Sequence, residues 1–179
     1  MSTALLIIDV QQGLCEGTDA AYDATNIIAR INQVAAKARR AGAPVIFVQH
    51  ESASGNLFYG SAGWALARGL KVEAGDIRVR KTTPDAFLKT ELEPILKRLA
   101  VTELLICGMH TEFCVDTTTR RALALGYPVI LVADAHTTAG NAVLAPRQII
   151  DHHNATLTQI TSFGPRARAV SGAAIAFDG

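Results

Sequence analysis

Four uninterrupted apolar runs limit what this chain can fold into: "TALLIIDV" from Thr3, "PVIFVQH" from Pro44, "ELLICGM" from Glu103 and "PVILVAD" from Pro128. A strand with one wet face alternates apolar and polar residues, so unbroken aliphatic runs predict strands buried on both faces. Between the first two runs, Ile27, Ile28, Ile31, Val34, Ala35 and Ala38 recur at helical spacing, and Gly42-Ala43-Pro44 closes the segment. The shorter stretch "DIRVRK" sets Ile77 and Val79 against Arg78 and Arg80, which predicts an edge strand with one wetter face. Thr90 is a cap for a helix running through Ala100, with Pro94 in or near its first turn. A further helix runs from Cys114 to about Leu125 and ends at Gly126. Another spans about Val143 to His153, followed by a weaker strand near Arg168 to Ser171 and a short terminal helix. Strands alternating with helices imply a parallel sheet covered on both sides, and right-handed crossovers make it a three-layer, doubly wound α/β/α fold.

The chain has 179 residues, 49% of them hydrophobic, which suits one domain over residues 1–179 with a single large core. Lys and Arg number 17 against 16 Asp and Glu, a net charge of +1 with no basic block, so nucleic acid is not an expected partner. The N-terminus has no positive n-region or cleavage site, and "ALLIIDV" is too short to span a bilayer, so no membrane partner and a soluble, cytoplasmic protein are expected. The three cysteines, Cys15, Cys107 and Cys114, have no CxxC spacing, which argues against a disulfide framework and against a zinc knuckle. Cys107 lies inside an apolar run and reads as a small core residue. Cys114, and less readily Cys15, falls where a thiol meets solvent. The segment from Glu51 to Gly75 is rich in Gly and Ser and carries Phe58, Tyr59 and Trp64, the make-up of a binding loop or lid.

In open α/β sheets the ligand site lies beyond the carboxyl ends of the strands. Asp9 ends the first strand, Lys81 ends "DIRVRK", and the strand "ELLICGM" runs out through Gly108 towards Cys114. A carboxylate closing so apolar a strand needs a cation or donors against it, and Lys81 is a candidate. The first turn of a helix favours a thiolate, so Cys114 has the address of a nucleophile, with Lys81 as added electrostatic support. Asp9 is placed to take the thiol proton and return it to a leaving amine. Backbone N–H groups between Gly108 and Cys114 are candidates to hold an oxyanion. The chain has no G-x-S-x-G elbow, no phosphate loop, and no G-x-G-x-x-G after the first strand.

Taken in order, "LLIIDVQQG", "RKTTPDAF", "ICGMHTEFCVDTTTRRA" and "VADAHTT" resemble the isochorismatase-like cysteine hydrolases, a group that includes nicotinamidases and other small-amide hydrolases. The resemblance covers nearly the whole chain. It implies a six-stranded parallel sheet of order 3-2-1-4-5-6, Asp9 as general acid/base, Lys81 as electrostatic partner and Cys114 as the nucleophile of a thioester acyl-enzyme. It also implies a cis peptide between Met109 and His110, with the His110 and Cys114 amides forming the oxyanion hole, and a homo-oligomer, dimer or tetramer. Nicotinamidases carry a metal on an Asp-x-His pattern with further histidines, whereas "VQHESASGNLF" offers only His50, so neither a metal nor nicotinamide is expected. "GSAGWAL" and "IIDHHNATL" are more similar to the metal-free subgroup, and no cofactor is implied.

Leu14, His50, Phe58, Trp64 and Thr118 are the candidate substrate contacts, although Phe58 and Trp64 equally fit packing under the long loop and Thr118 a backbone bond. His110 lies in the oxyanion turn, which favours a backbone or pocket-lining role over a Cys–His base. His136 reads as ordering a loop, His152 and His153 as structural, and Glu112 has no assigned role. The expected activity is hydrolysis of a small carboxamide, a small-molecule substrate. Two alternatives stay open: vinyl-ether hydrolysis by Asp9 without a covalent step, and a redox-reactive thiol or binding protein on the same scaffold.

Overall fold

The computed structural model describes residues 2–177. Its elements run β1 (Thr3–Ile8), α1 (Gln12–Cys15), α2 (Ala24–Arg40), β2 (Val45–His50), β3 (Ile77–Lys81), α3 (Leu92–Arg98) and β4 (Glu103–Met109). A π-helical turn (Thr111–Val115) then leads into α4 (Asp116–Ala124), followed by β5 (Val129–Thr137), α5 (Pro146–Thr158) and β6 (Ala167–Val170). The six strands form one sheet, ordered β3-β2-β1-β4-β5-β6, and every pairing is parallel. The expected strand order is therefore the observed one, and the order reverses between β1 and β4.

The unbroken apolar runs follow from two cores, one on each face. Leu6, Ile8, Ile46, Val48, Leu104 and Ile106 pack with α3 and α4 through Leu92, Leu96, Ala122 and Leu123. Their neighbours Leu5, Ile7, Val45, Phe47, Leu105 and Cys107 face the other way and pack on α2. Alternate residues of one strand thus fill different cores, each buried aliphatic side chain contributing about 1.5–3 kcal/mol. All six periodic positions of α2 are buried, and Cys107 is fully buried, as expected. At the edge strand β3, Arg78 and Arg80 are exposed while Val79 and Lys81 are buried.

Several boundaries differ from the sequence reading. The helix of Cys114 starts three residues earlier, because the π-helical turn bonds the Val115 N–H to the His110 carbonyl across five residues. Helix α5 starts at Pro146, not near Val143, and extends to Thr158. Proline is preorganised for the first helical position, and Asn141 Oδ1 accepts the Val143 and Leu144 N–H groups in a loop before it. Helix α3 stops at Arg98, ahead of Ala100, which turns left-handed at φ 51°. Thr90 accepts the Leu92 N–H, close to the expected capping role. The expected terminal helix does not form among the described residues. Lys37 Nζ instead gathers the carbonyls of Gly172, Ala173 and Ile175, holding a turn against α2.

Candidate active site

Asp9, His50 and Lys81 stand at or just past strand ends, and Cys114 stands in the π-helical turn that follows β4. Asp9 leaves β1 in a left-handed conformation, φ 52°, with its N–H bonded to the Val48 carbonyl at 2.8 Å. A non-glycine residue held there departs from ordinary strand geometry, as residues at functional sites often do. The Lys81 side chain points inward from β3, and its Nζ lies 2.7 Å from Asp9 Oδ2, 3.1 Å from His50 Nδ1, 3.1 Å from the Thr83 carbonyl and 3.2 Å from Cys114 Sγ. The Lys81 and Asp9 side chains are 0% and 1% exposed, so this ion pair is desolvated on both sides.

An ammonium has three protons and only donates, so its four neighbours share them, and where His50 Nδ1 takes one it does so as an acceptor. Burial, and then the Lys81 charge, push His50 below the usual histidine range, which keeps the ring neutral. The second oxygen of Asp9, Oδ1, is buried and has no hydrogen-bond partner. That oxygen is available to a proton.

The turn that carries Cys114 begins where β4 pairs with the end of β1. Gly108 pairs with Ile8 at φ +118°, and a Cβ there would lie 2.0 Å from the Ile8 carbonyl oxygen. Only glycine permits that approach. The Met109–His110 peptide is cis, and the π-helical turn follows, bringing Cys114 Sγ within 4.8 Å of the Asp9 and His50 ligand atoms.

Cys114 is half-buried, and burial, reinforced by the Asp9 carboxylate, pushes its thiol up to about 12, with Lys81 opposing. This corrects the expectation of a thiol made acidic by the helix entrance. Loss of solvent penalises the thiolate, and the nearby carboxylate repels it. In the free protein the thiol keeps its proton beside an acceptor.

Asp9, His50 and Cys114 together offer O, N and S donors of a kind that metals use. The sequence suggested His50 alone. The Lys81 ammonium stands within hydrogen-bonding distance of all three, so a metal ion here would meet a fixed positive charge. The residues present therefore fit an ammonium better than a resident metal.

The long loop folds back over this edge. Gln11, fully buried, donates to the His50 and Trp64 carbonyls and accepts the His50 N–H; Gln49 also donates to the Trp64 carbonyl. Neither glutamine was singled out by the sequence reading, although "DVQQG" carries Gln11. His50 also lines a cavity of about 580 Å³ with Glu51, Phe58, Tyr59 and Thr82. Phe58 is exposed, and Trp64 packs edge-on against Tyr59, ring centroids 4.8 Å apart. Arg80 pairs with Glu51 at 2.7 Å and lies 3.9 Å over the Tyr59 ring.

Leu14 packs partly buried against the α2-side core. The Thr118 hydroxyl accepts the Ala86 N–H and donates to the Pro84 carbonyl, tying α4 to the segment after β3. His153 bonds the Ile149 carbonyl within its own helix, and His152 contacts Thr156.

The sheet order is the one that the resemblance to the isochorismatase-like hydrolases implies. A model of the isochorismatase domain family matches residues 3–164, and the chain belongs to that family of hydrolases. A streptothricin hydrolase of Streptomyces noursei is 41% identical over 138 residues, covering 75% of this chain and 49% of that protein. The chain thus spans about half the length of that curated relative. A ureidoacrylate amidohydrolase of Methylobacterium radiotolerans is 29% identical over 90% of this chain and 74% of its own. A crystal structure of an isochorismatase family protein, 38% identical, superposes with a TM-score of 0.87 over 95% of this chain and 98% of that one. No helix among the described residues is long and apolar enough to cross a membrane.

Proposed function

We propose that the chain hydrolyses a small carboxamide through a thioester on Cys114. The observation that carries this reading is the contact of one buried lysine with both Asp9 and Cys114, at 2.7 and 3.2 Å. Attack transfers the thiol proton to Asp9 as Sγ bonds the carbonyl carbon. The resulting oxyanion is received by the backbone N–H groups of His110 and Cys114, a device in which each donor is worth about 100- to 1,000-fold in rate. Collapse breaks the C–N bond, and Asp9 returns the proton to the departing amine or ammonia. Asp9 then takes a proton from water, whose oxygen attacks the thioester, and passes that proton back to Cys114 as the acid leaves. Lys81 keeps the site's charge balanced whichever of Asp9 and Cys114 holds the shared proton.

The names of the relatives agree with an amide substrate, since one acts on streptothricin and another is an amidohydrolase. His50, Phe58 and Trp64 are the proposed substrate-facing residues, on the evidence of their place around the cavity and loop. A library of amides, read out by ammonia or amine release with Cys114→Ala as the blank, tests the reading. Amidase activity that survives Cys114→Ala sinks it, whereas a vinyl ether cleaved by Cys114→Ser but not by Asp9→Ala would favour the non-covalent reaction. Assembly as a homo-oligomer belongs to the same proposal, and light scattering reads it directly.

A further inference from the structure

We propose that His136 acts through Thr111 as a positioning residue for the oxyanion side of the nucleophile turn. This rests on the thioester reading above. The observation behind it is a one-way chain of buried hydrogen bonds reaching the turn from β5 and α5, which the reaction itself does not use.

The chain exists because β5 departs from regular pairing with β4. Ile106 pairs with Leu131, but two residues later Gly108 faces His136, so five steps of β5 match two of β4. Such a bulge re-aims side chains. Here it puts His136 opposite Gly108 and Thr137 opposite Met109, the two residues before His110.

His136 is completely buried. Its Nδ1 lies 2.9 Å from Thr111 Oγ1, and its Nε2 lies 3.0 Å from Asn154 Oδ1. Asn154 Nδ2 donates to the Ala133 carbonyl at 3.0 Å, which fixes the amide with its oxygen towards the histidine. An amide oxygen only accepts, so His136 Nε2 carries the ring proton, Nδ1 is the acceptor, and the Thr111 hydroxyl must donate to it. Each bond of the relay has one sense only. Thr111 is itself fully buried and opens the π-helical turn directly after His110, three residues before Cys114. A second tie from the end of β5, Thr138 Oγ1 to Glu112 Oε1 at 2.7 Å, holds the next residue of the same turn. Between them, β5 and α5 set where the amides of the turn point, while Lys81 and Asp9 set the state of the thiol.

That division makes the proposal testable with probes that need no known substrate. Alkylation of Cys114 by iodoacetamide builds no oxyanion, whereas a simple aldehyde such as benzaldehyde adds reversibly: Sγ bonds the aldehyde carbon, the C=O π pair moves to oxygen, and the thiol proton passes to Asp9, which leaves a thiohemiacetal oxygen facing the turn's amides. The measurement is the Cys114 alkylation rate, read by peptide mass spectrometry, with and without benzaldehyde as protectant. Thr111→Val removes the hydroxyl and little volume. It is expected to alkylate within about twofold of wild type yet to need roughly 10- to 100-fold more benzaldehyde for protection, the scale of a weakened oxyanion donor. Thr111→Ser, which keeps the hydroxyl, should restore protection, and Asn154→Leu should weaken it in the same sense. Protection of Thr111→Val as tight as in wild type would overturn the proposal. If Thr111→Val loses alkylation and protection in parallel, the mark of general damage, Asn154→Leu decides: weakened protection at an unchanged alkylation rate supports the relay, and protection as tight as in wild type overturns it. Amidase activity surviving in Cys114→Ala would instead defeat the thioester reading and leave these two rates to be judged on their own.

Discussion

Replacing Lys81 by Met leaves the Asp9 carboxylate buried and, among the described residues, without a counter-charge. Both side chains are essentially inaccessible, at 0% and 1%, so water cannot take the place of the lost ammonium. Breaking a buried pair by removing one partner costs about 3–5 kcal/mol, a large share of the roughly 5–15 kcal/mol that holds a domain folded. Most of that cost belongs to the stranded charge and not to lost attraction. Neutralising the partner as well should therefore recover it: Asp9→Asn in the Lys81→Met background is expected to be more stable than Lys81→Met alone by about 2 kcal/mol or more. Urea unfolding of wild type, both single variants and the double variant closes the cycle, with equal m-values required for the comparison. Activity should not follow stability, and the double variant should be well folded and inactive. A Lys81→Met protein within 1 kcal/mol of wild type, or a double variant whose loss is the sum of the single losses, would refute the reasoning about a desolvated pair.

Asp9→Asn should abolish turnover yet speed iodoacetamide alkylation of Cys114 near pH 7. The carboxylate is, after burial, the cause that raises the thiol; alkylation that falls together with turnover would contradict this. Gly108→Ala should destabilise by about 2–6 kcal/mol, the sum of a disfavoured backbone conformation and overpacking, because its methyl meets the Ile8 carbonyl. A urea midpoint unchanged from wild type would contradict that contact. Burial, the largest cause, lowers His136 from 6.5 to about 4; the Asn154 bond and the charges of Asp134 and Asp151 oppose the shift, and His153 adds to it. The unfolded chain then takes up this proton first as the pH falls, so the stability is fully present above pH 6.5 and is lost on the way down to about 4. The loss is roughly 3 kcal/mol, and His136→Gln should flatten that part of the stability–pH curve by nearly one proton; an unchanged slope would argue against a neutral, buried ring.

The strands were legible because burial on both faces leaves a mark along the chain itself. Lys81 was legible as the cation for Asp9 from its place at a strand end, and the period of two that puts Ile77 and Val79 inward carries Lys81 inward with them. The start of α5 was misplaced even though Pro146 signalled it, since Val143 and Leu144 continue the apolar pattern without joining the helix. Gln11 and the relay of Ala133, Asn154, His136 and Thr111 were not legible, because their partners meet only once the sheet is assembled and β5 has bulged. The thiol shows the limit of local reasoning: a helix entrance favours a thiolate, but the enclosure that the fold imposes on Cys114 outweighs it.

Whether the reaction passes through a covalent bond to Cys114 is read most directly by intact-protein and peptide mass spectrometry on enzyme acid-quenched during turnover of an amide substrate. An adduct of the acyl group's mass is expected on the peptide carrying Cys114, absent from Cys114→Ala and released by hydroxylamine. Undiminished turnover with no such adduct at any quench time, together with activity retained in Cys114→Ala, would contradict a covalent route.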